Sequence, residues 1–182
     1  SIAELVLPDG TKVMLDREMD RALEEGVRNS GDTLNYTEVA SGGVQDSCEI
    51  YHTLRVPRGG EYTLVLADGT TVYLNAESEL RFPKQFRGKN RKVYLTGEGY
   101  FDVQRNEKQP FIVEAQQVEI RVLGTSFGVR AYTKEENVLT TLIQGRVNVE
   151  ADGQQVELDP GQQADFNRGN DRLTVAEVDV EQ

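Results

Sequence analysis

Leu64-Val65-Leu66-Ala67-Asp68-Gly69-Thr70-Thr71-Val72-Tyr73-Leu74 decides the fold class, because a close copy stands earlier in the chain. That copy is Leu5-Val6-Leu7-Pro8-Asp9-Gly10-Thr11-Lys12-Val13-Met14-Leu15. Each is an apolar run, an Asp-Gly pair, and a second run in which apolar and polar residues alternate. Asp-Gly tolerates the positive φ values of a type I′ turn and is the strongest short-range hairpin signal. Both stretches therefore predict β-hairpins. Two copies make a reused hairpin and not a long solenoid array, which needs a regular period.

Outward from these copies the pattern stays at period two. Val118, Ile120 and Val122 alternate with Glu119 and Arg121, which implies one buried face. Phe127, Val129 and Ala131 do the same, as do Val147 and Val149 against Arg146, Asn148 and Glu150. Turn signals fall between the runs at Gly97-Glu98-Gly99, Gln109-Pro110, Gly124-Thr125, Gln144-Gly145, Asp152-Gly153 and Pro160-Gly161. Turns every ~8–15 residues, with no alternation of strand and helix, predict an all-β chain. Phe82, Phe86, Phe101, Phe111, Phe127 and Phe166 are its expected core. Gly59, Gly60, Gly97, Gly99, Gly124, Gly128, Gly145 and Gly161 are expected at strand ends.

One stretch reads as helix. Met19, Ala22, Leu23, Gly26 and Val27 fall on one stripe at period 3.6, with Asp16 as N-cap. Gly26 weakens that reading by about 1 kcal/mol relative to alanine. The alternative is a long excursion between strands, running to Ser41-Gly42-Gly43. At most one short helix is therefore expected, near residues 17–29.

Composition limits the function classes. The chain has 182 residues, 31 acidic against 20 basic side chains and a net charge of -11. Such a surface repels phosphate backbones and anionic lipid, so nucleic acid is not an expected partner. A single cysteine, Cys48, allows no intrachain disulfide. No apolar run approaches the ~20 residues that span a bilayer, and there is no signal peptide. The chain begins at Ser1 without methionine, as expected of a piece of a longer protein whose targeting or membrane segment lies elsewhere.

Chemical motifs are few. Gly124-Thr125-Ser126-Phe127-Gly128 matches the pattern of a nucleophile elbow, which needs a strand, a sharp turn, a helix and a later histidine. Here alternating strand residues follow, and the one histidine, His52, lies upstream. Ser126 is not expected to be a nucleophile. Gly97-Glu98-Gly99 opens like a dinucleotide fingerprint, yet Phe101-Asp102-Val103 continues a strand. One histidine and one cysteine cannot supply a zinc set, and no calcium loop is present. Glu77 and Glu79, or Glu135 and Glu136, offer carboxylate pairs for a glycosidase, with solvated surface acids as the plainer reading. His52 reads as structural or solvent-facing, with no acidic cluster beside it in sequence to tune it. Asn35-Tyr36-Thr37 fits a glycosylation pattern by accident. No catalytic, cofactor-binding or metal-binding residue is expected, and no enzyme activity.

Several phrases occur in an order that is specific as a set. They are Arg55-Val56-Pro57-Arg58-Gly59-Gly60-Glu61-Tyr62, continuing through Leu74-Asn75-Ala76; Leu95-Thr96-Gly97-Glu98-Gly99-Tyr100-Phe101-Asp102-Val103; and Pro110-Phe111-Ile112-Val113. Then come Val122-Leu123-Gly124-Thr125-Ser126-Phe127-Gly128-Val129, Thr140-Thr141-Leu142-Ile143-Gln144-Gly145-Arg146-Val147 and Leu158-Asp159-Pro160-Gly161-Gln162-Gln163-Ala164. This set, over residues 53–166, resembles the FecR family of transmembrane anti-sigma regulators, in its Bacteroidetes form. The resemblance implies a solenoid-like or flattened two-sheet stack of short strands in the periplasm. It divides the chain into residues 1–52, a strand hairpin with a helical or loop excursion packed on the main domain, and residues 53–182, the FecR-like β domain.

It further implies a relay by protein–protein contact, from the signalling domain of a TonB-dependent outer-membrane receptor to an extracytoplasmic-function sigma factor. The receptor contact is expected through a C-terminal domain absent from this chain, and sigma binding through an absent N-terminal cytoplasmic domain. Membrane attachment is expected only through an absent transmembrane helix. No contact residue can be assigned on this basis. The alternative is a carbohydrate-binding or carbohydrate-cleaving β domain. Exposed tyrosines with paired acids in a groove would favour it, and an acidic surface with an uncovered sheet edge would favour the relay.

Overall fold

The computed structural model describes residues 3–39 and 48–180, so Ser41-Gly42-Gly43 lies outside the described residues. Within them the chain forms eighteen strands and no helix. The strands build two hydrogen-bonded ladders. Ladder A runs in space as β2 (Lys12–Leu15), β1 (Ala3–Val6), β6 (Tyr51–Val56), β9 (Ser78–Pro83), the first half of β10 (Arg91–Asp102), β11 (Phe111–Ala115), β12 (Val118–Val122), β15 (Val147–Ala151) and β16 (Gln154–Leu158). Ladder B runs as β3 (Asp20–Glu24), β4 (Val27–Ser30), β5 (Thr33–Asn35), β7 (Tyr62–Val65), β8 (Thr71–Leu74), the second half of β10, β13 (Ser126–Ala131), β14 (Asn137–Gln144), β17 (Gln162–Asn167) and β18 (Arg172–Glu177). Pairing is antiparallel except for β10 with β11 and β5 with β7.

The period-two runs produce this arrangement directly. Val118, Ile120 and Val122 of β12 are buried, and so are Val147, Val149 and Ala151 of β15. Their inward faces meet those of ladder B in one core, where Phe101 stacks on Phe127 at 5.2 Å and Phe111 meets Phe101 edge-on at 6.4 Å. Five of the six phenylalanines are buried, and Phe86 packs against the core from its margin.

Three local readings need correction. Both Asp-Gly copies are hairpins, but not of type I′. Gly10 and Gly69 have positive φ, whereas Asp9 and Asp68 do not. The carbonyls of Leu7 and Leu66 accept from Gly10 and Gly69, and Leu7 and Leu66 donate to Thr11 and Thr70. That is a three-residue loop, a type I turn followed by a left-handed glycine. The aspartates close it with their side chains: Asp9 and Asp68 each accept from the backbone two residues on, at 2.9 Å. The type I′ geometry appears instead at Asp152-Gly153, where both φ values are positive.

The stripe at 17–29 is a hairpin, β3–β4, and Asp16 caps a turn in front of it by accepting from Glu18. A register shift between Ala22 and Glu24 interrupts the alternation, and Met19, Leu23 and Val27 still reach the core. Buried Asn29 fixes the hairpin by donating to the carbonyls of Met19 and Gly31 and accepting from the Tyr62 hydroxyl at 2.5 Å. Finally, Gly97-Glu98-Gly99 separates no strands. It lies inside twelve-residue β10, which pairs with β9 up to Thr96 and with β8 and β13 beyond. Gly128 likewise sits within β13 and not at a strand end.

Candidate functional site

The sequence motifs land on separate parts of the two ladders. Ser126 opens β13 and donates to Asp102 across the β10 pairing at 3.1 Å. His52 sits in ladder A, opposite Phe82, with partners of its own. The structure therefore does not join serine and histidine through a shared contact, and the residues after Ser126 are strand. Glu77 faces Arg58 at 3.7 Å, and Glu79 faces Arg55 at 3.2 Å. Glu135 is gripped by Arg130 through two bonds of 2.8 and 2.6 Å, which hold its carboxyl below the usual carboxylate range. The Asn35 side chain accepts from the amide and hydroxyl of Thr37, closing a turn on itself. Cys48 is exposed.

Two buried polar networks gave no sequence signal. Arg91, 1% exposed, donates to Asp68 at 2.8 Å and to the carbonyls of Gln104, Gln109 and Leu123 at 2.7, 2.7 and 3.2 Å. It reads in sequence as one more charge in Lys89-Asn90-Arg91-Lys92. The second network surrounds His52, which is also 1% exposed. The Tyr36 hydroxyl lies 2.6 Å from Nδ1, and Glu24 lies 3.7 Å from Nε2 with Lys84 on its other oxygen. The acid beside His52 thus comes from β3 and not from Glu49 three residues before it, which accepts from the Arg87 amide. A neutral ring that accepts the tyrosine proton at Nδ1 suits this arrangement.

Burial pushes the His52 pKa below its usual value, with Lys84 acting in the same direction and Glu24 opposing. The unfolded chain takes up this proton near pH 6.5, whereas the folded chain resists it. Stability from His52 is thus fully present above about pH 6.5 and falls away as pH drops towards the lowered folded value. His52→Gln should flatten that slope in urea unfolding measured across the window. Identical slopes in the two proteins would show that His52 does not carry it.

The surface offers two kinds of feature. On the outer face of ladder B, Tyr73 is 47% exposed and its ring lies 6.0 Å from that of Tyr100, tilted by 48°. Beside them Gly128 leaves a notch of 250 Å³ bordered by Glu98, Arg130 and Gln163. Glu98 is already bonded by Asn75 at 2.7 Å and faced by Arg130 at 3.6 Å, so the notch holds tyrosines without a free pair of acids. The second feature is edges: β16 and β18 close the two ladders at one end of the stack, and β2 and β3 at the other. Val175 on β18 and Met14 on β2 are exposed there. An uncovered edge is a template for pairing with another chain.

The connections from β6 to β15 follow the order of the phrases quoted from the sequence, and the FecR protein family model matches residues 52–148, just over half the chain. The chain belongs to the FecR family. Two crystal structures of a candidate anti-sigma factor from Parabacteroides distasonis ATCC 8503, at 2.50 and 1.65 Å, are similar to this FecR-family chain. They share 34% and 35% identity with it, with TM-scores of 0.69 and 0.68 over 71% and 70% of its length. The FecR-family chain covers 61% and 60% of theirs, about three fifths. No curated protein matches it. Among the described residues, no helix is long and apolar enough to cross a membrane.

Proposed function

We propose that this chain is the periplasmic part of an inner-membrane-tethered anti-sigma regulator. It relays a signal from a TonB-dependent outer-membrane receptor to an extracytoplasmic-function sigma factor by protein–protein contact. The observation that carries this reading is the FecR match across β6 to β15, supported by the likeness to a candidate anti-sigma factor. Among the described residues, β2, β3, β16 and β18 each pair with one neighbouring strand only, which is consistent with a module that works by contact. In this reading the stack is a rigid support: its ladders hold neighbouring segments of the regulator in place, and the sigma factor is held by a part of the polypeptide outside this chain.

A specific contact needs about 800 Å² per partner. The chain alone is expected to bind the receptor's periplasmic signalling domain weakly. The regulator's complete periplasmic region should bind it at least tenfold tighter, about 1.4 kcal/mol. Titration calorimetry on both checks this. Equal, tight binding by residues 1–182 would place the receptor contact on this stack and sink the support role. Binding of a free oligosaccharide in the Tyr73 notch would favour a carbohydrate module instead.

A further inference from the structure

Three arginines converge at an exposed place on this acidic chain. A groove of 620 Å³ opens where the β10–β11 connection, β12 and the turn before β15 meet, and it is lined by Arg105, Arg121, Leu123, Arg146 and Glu157 among others. The three arginines come from three separate segments. Arg121 lies on the outer face of β12, opposite Asn148. Leu123 is 39% exposed, one of five large hydrophobic residues so exposed among the described residues.

The arginines differ in their present partners. Arg105 pairs with Glu107, and Arg146 pairs with Glu157 at 3.1 Å. Both pairs are well exposed, so each is worth little and exchanges readily for an incoming carboxylate. Arg121 makes no ion pair among the described residues. The groove thus already holds one carboxylate of its own chain, Glu157, and has room, charge and an apolar step for another.

We propose that this groove docks an acidic, extended peptide segment of a partner protein. One carboxylate sits on Arg121 and a neighbouring aliphatic side chain sits on Leu123. The proposal goes beyond the relay reading: it gives the support a weak docking point of its own, separate from the receptor contact, and names the chemistry of its occupant. A small inorganic anion would leave the apolar step unused. A polyanion would meet only three arginines, two of them partly neutralised, on a chain of net charge -11, and polyanion binding draws on many phosphate or sulfate contacts at once.

The test is fluorescence anisotropy with labelled acetyl-Glu-Leu-Glu-Val-Glu-amide and its Gln-for-Glu analogue, on the chain of residues 1–182. Saturable binding is expected below about 1 mM, weakened at least tenfold by the neutral analogue and by Arg121→Glu. It should also weaken as salt is raised, because the groove is open to solvent. Circular dichroism should show Arg121→Glu melting with the parent, since the side chain is exposed. Equal affinity for the neutral peptide, no effect of Arg121→Glu, or no saturation below about 1 mM would overturn the proposal. So would heparin binding the groove more tightly than the peptide does. The probe is synthetic, so its failure leaves the receptor titration unaffected, and a failed receptor titration leaves peptide binding standing.

Discussion

Arg91→Met should lower the unfolding free energy by about 3–5 kcal/mol, the loss expected when one partner of a buried ion pair is removed. Asp68 would be left 17% exposed without its cation, and the carbonyls of Gln104 and Gln109 would lose the guanidinium that donates to them. The reason for an arginine here lies in the chain path. β10 ends in ladder B, yet β11 must begin in ladder A, parallel to the start of β10. The connection over residues 103–110 therefore doubles back, and its Gln104 and Gln109 carbonyls turn inward onto Arg91. A planar guanidinium with five donors collects them and ties the turn to Asp68 in the β7–β8 loop, which a lysine with three donors could not reproduce. Urea unfolding reads the effect. Adding Asp68→Asn to the methionine variant should recover part of the loss, because the stranded charge goes with it. A loss under about 1 kcal/mol would mean that water replaces the guanidinium without penalty.

Gly97→Ala should cost about 2 kcal/mol or more, from left-handed backbone strain and a clash with a neighbouring strand. Gly97 has a φ of 98°. A Cβ there would stand 2.7 Å from the Ser78 Cα and 2.4 Å from its Oγ, the oxygen that accepts from the Glu98 amide. Relief requires β9 to move away from β10 at the point where β10 passes between ladders. Gly128→Ala provides the contrast in the same pair of strands. Its new methyl meets nothing within 4 Å, and its backbone is not left-handed. The melting temperature should fall sharply for the first substitution and hold or rise for the second. A similar response from both would show that Gly97 carries no special strain.

The contrast between these two glycines also explains what the sequence could not reveal. Alternation is a local signal, and wherever a strand had one buried face, as in β12, β13 and β15, it was legible. So were the phenylalanines that fill the core. A glycine within a strand has the same letter as a glycine in a turn. Gly97 and Gly99 therefore resembled a break, although the distinction rests on Ser78 packed against Gly97 and on Leu74, Leu95 and Phe101 around Gly99. The stripe at 17–29 misled for a related reason. A register shift placed Leu23 and Val27 both towards the core, which imitates a helical spacing. Asn29, held between two carbonyls and Tyr62, overrode it from a distance. The Arg91 network and the convergence of Arg105, Arg121 and Arg146 depend on which segments meet in space, so neither leaves a trace in any one window of sequence.

The handing of the chain from one ladder to the other has a consequence for how the molecule is made. After β10, hairpins alternate strictly: β11–β12 in ladder A, β13–β14 in B, β15–β16 in A, β17–β18 in B. Each later hairpin pairs with the one two before it, β15 on β12 and β17 on β14. The growing end therefore always presents two fresh edges, and the next pair of hairpins can add to them without disturbing what is already built. Assembly by accretion of this kind pairs β15 and β17 with strands of the hairpin two before and not with β1–β9, which limits the loops that must close.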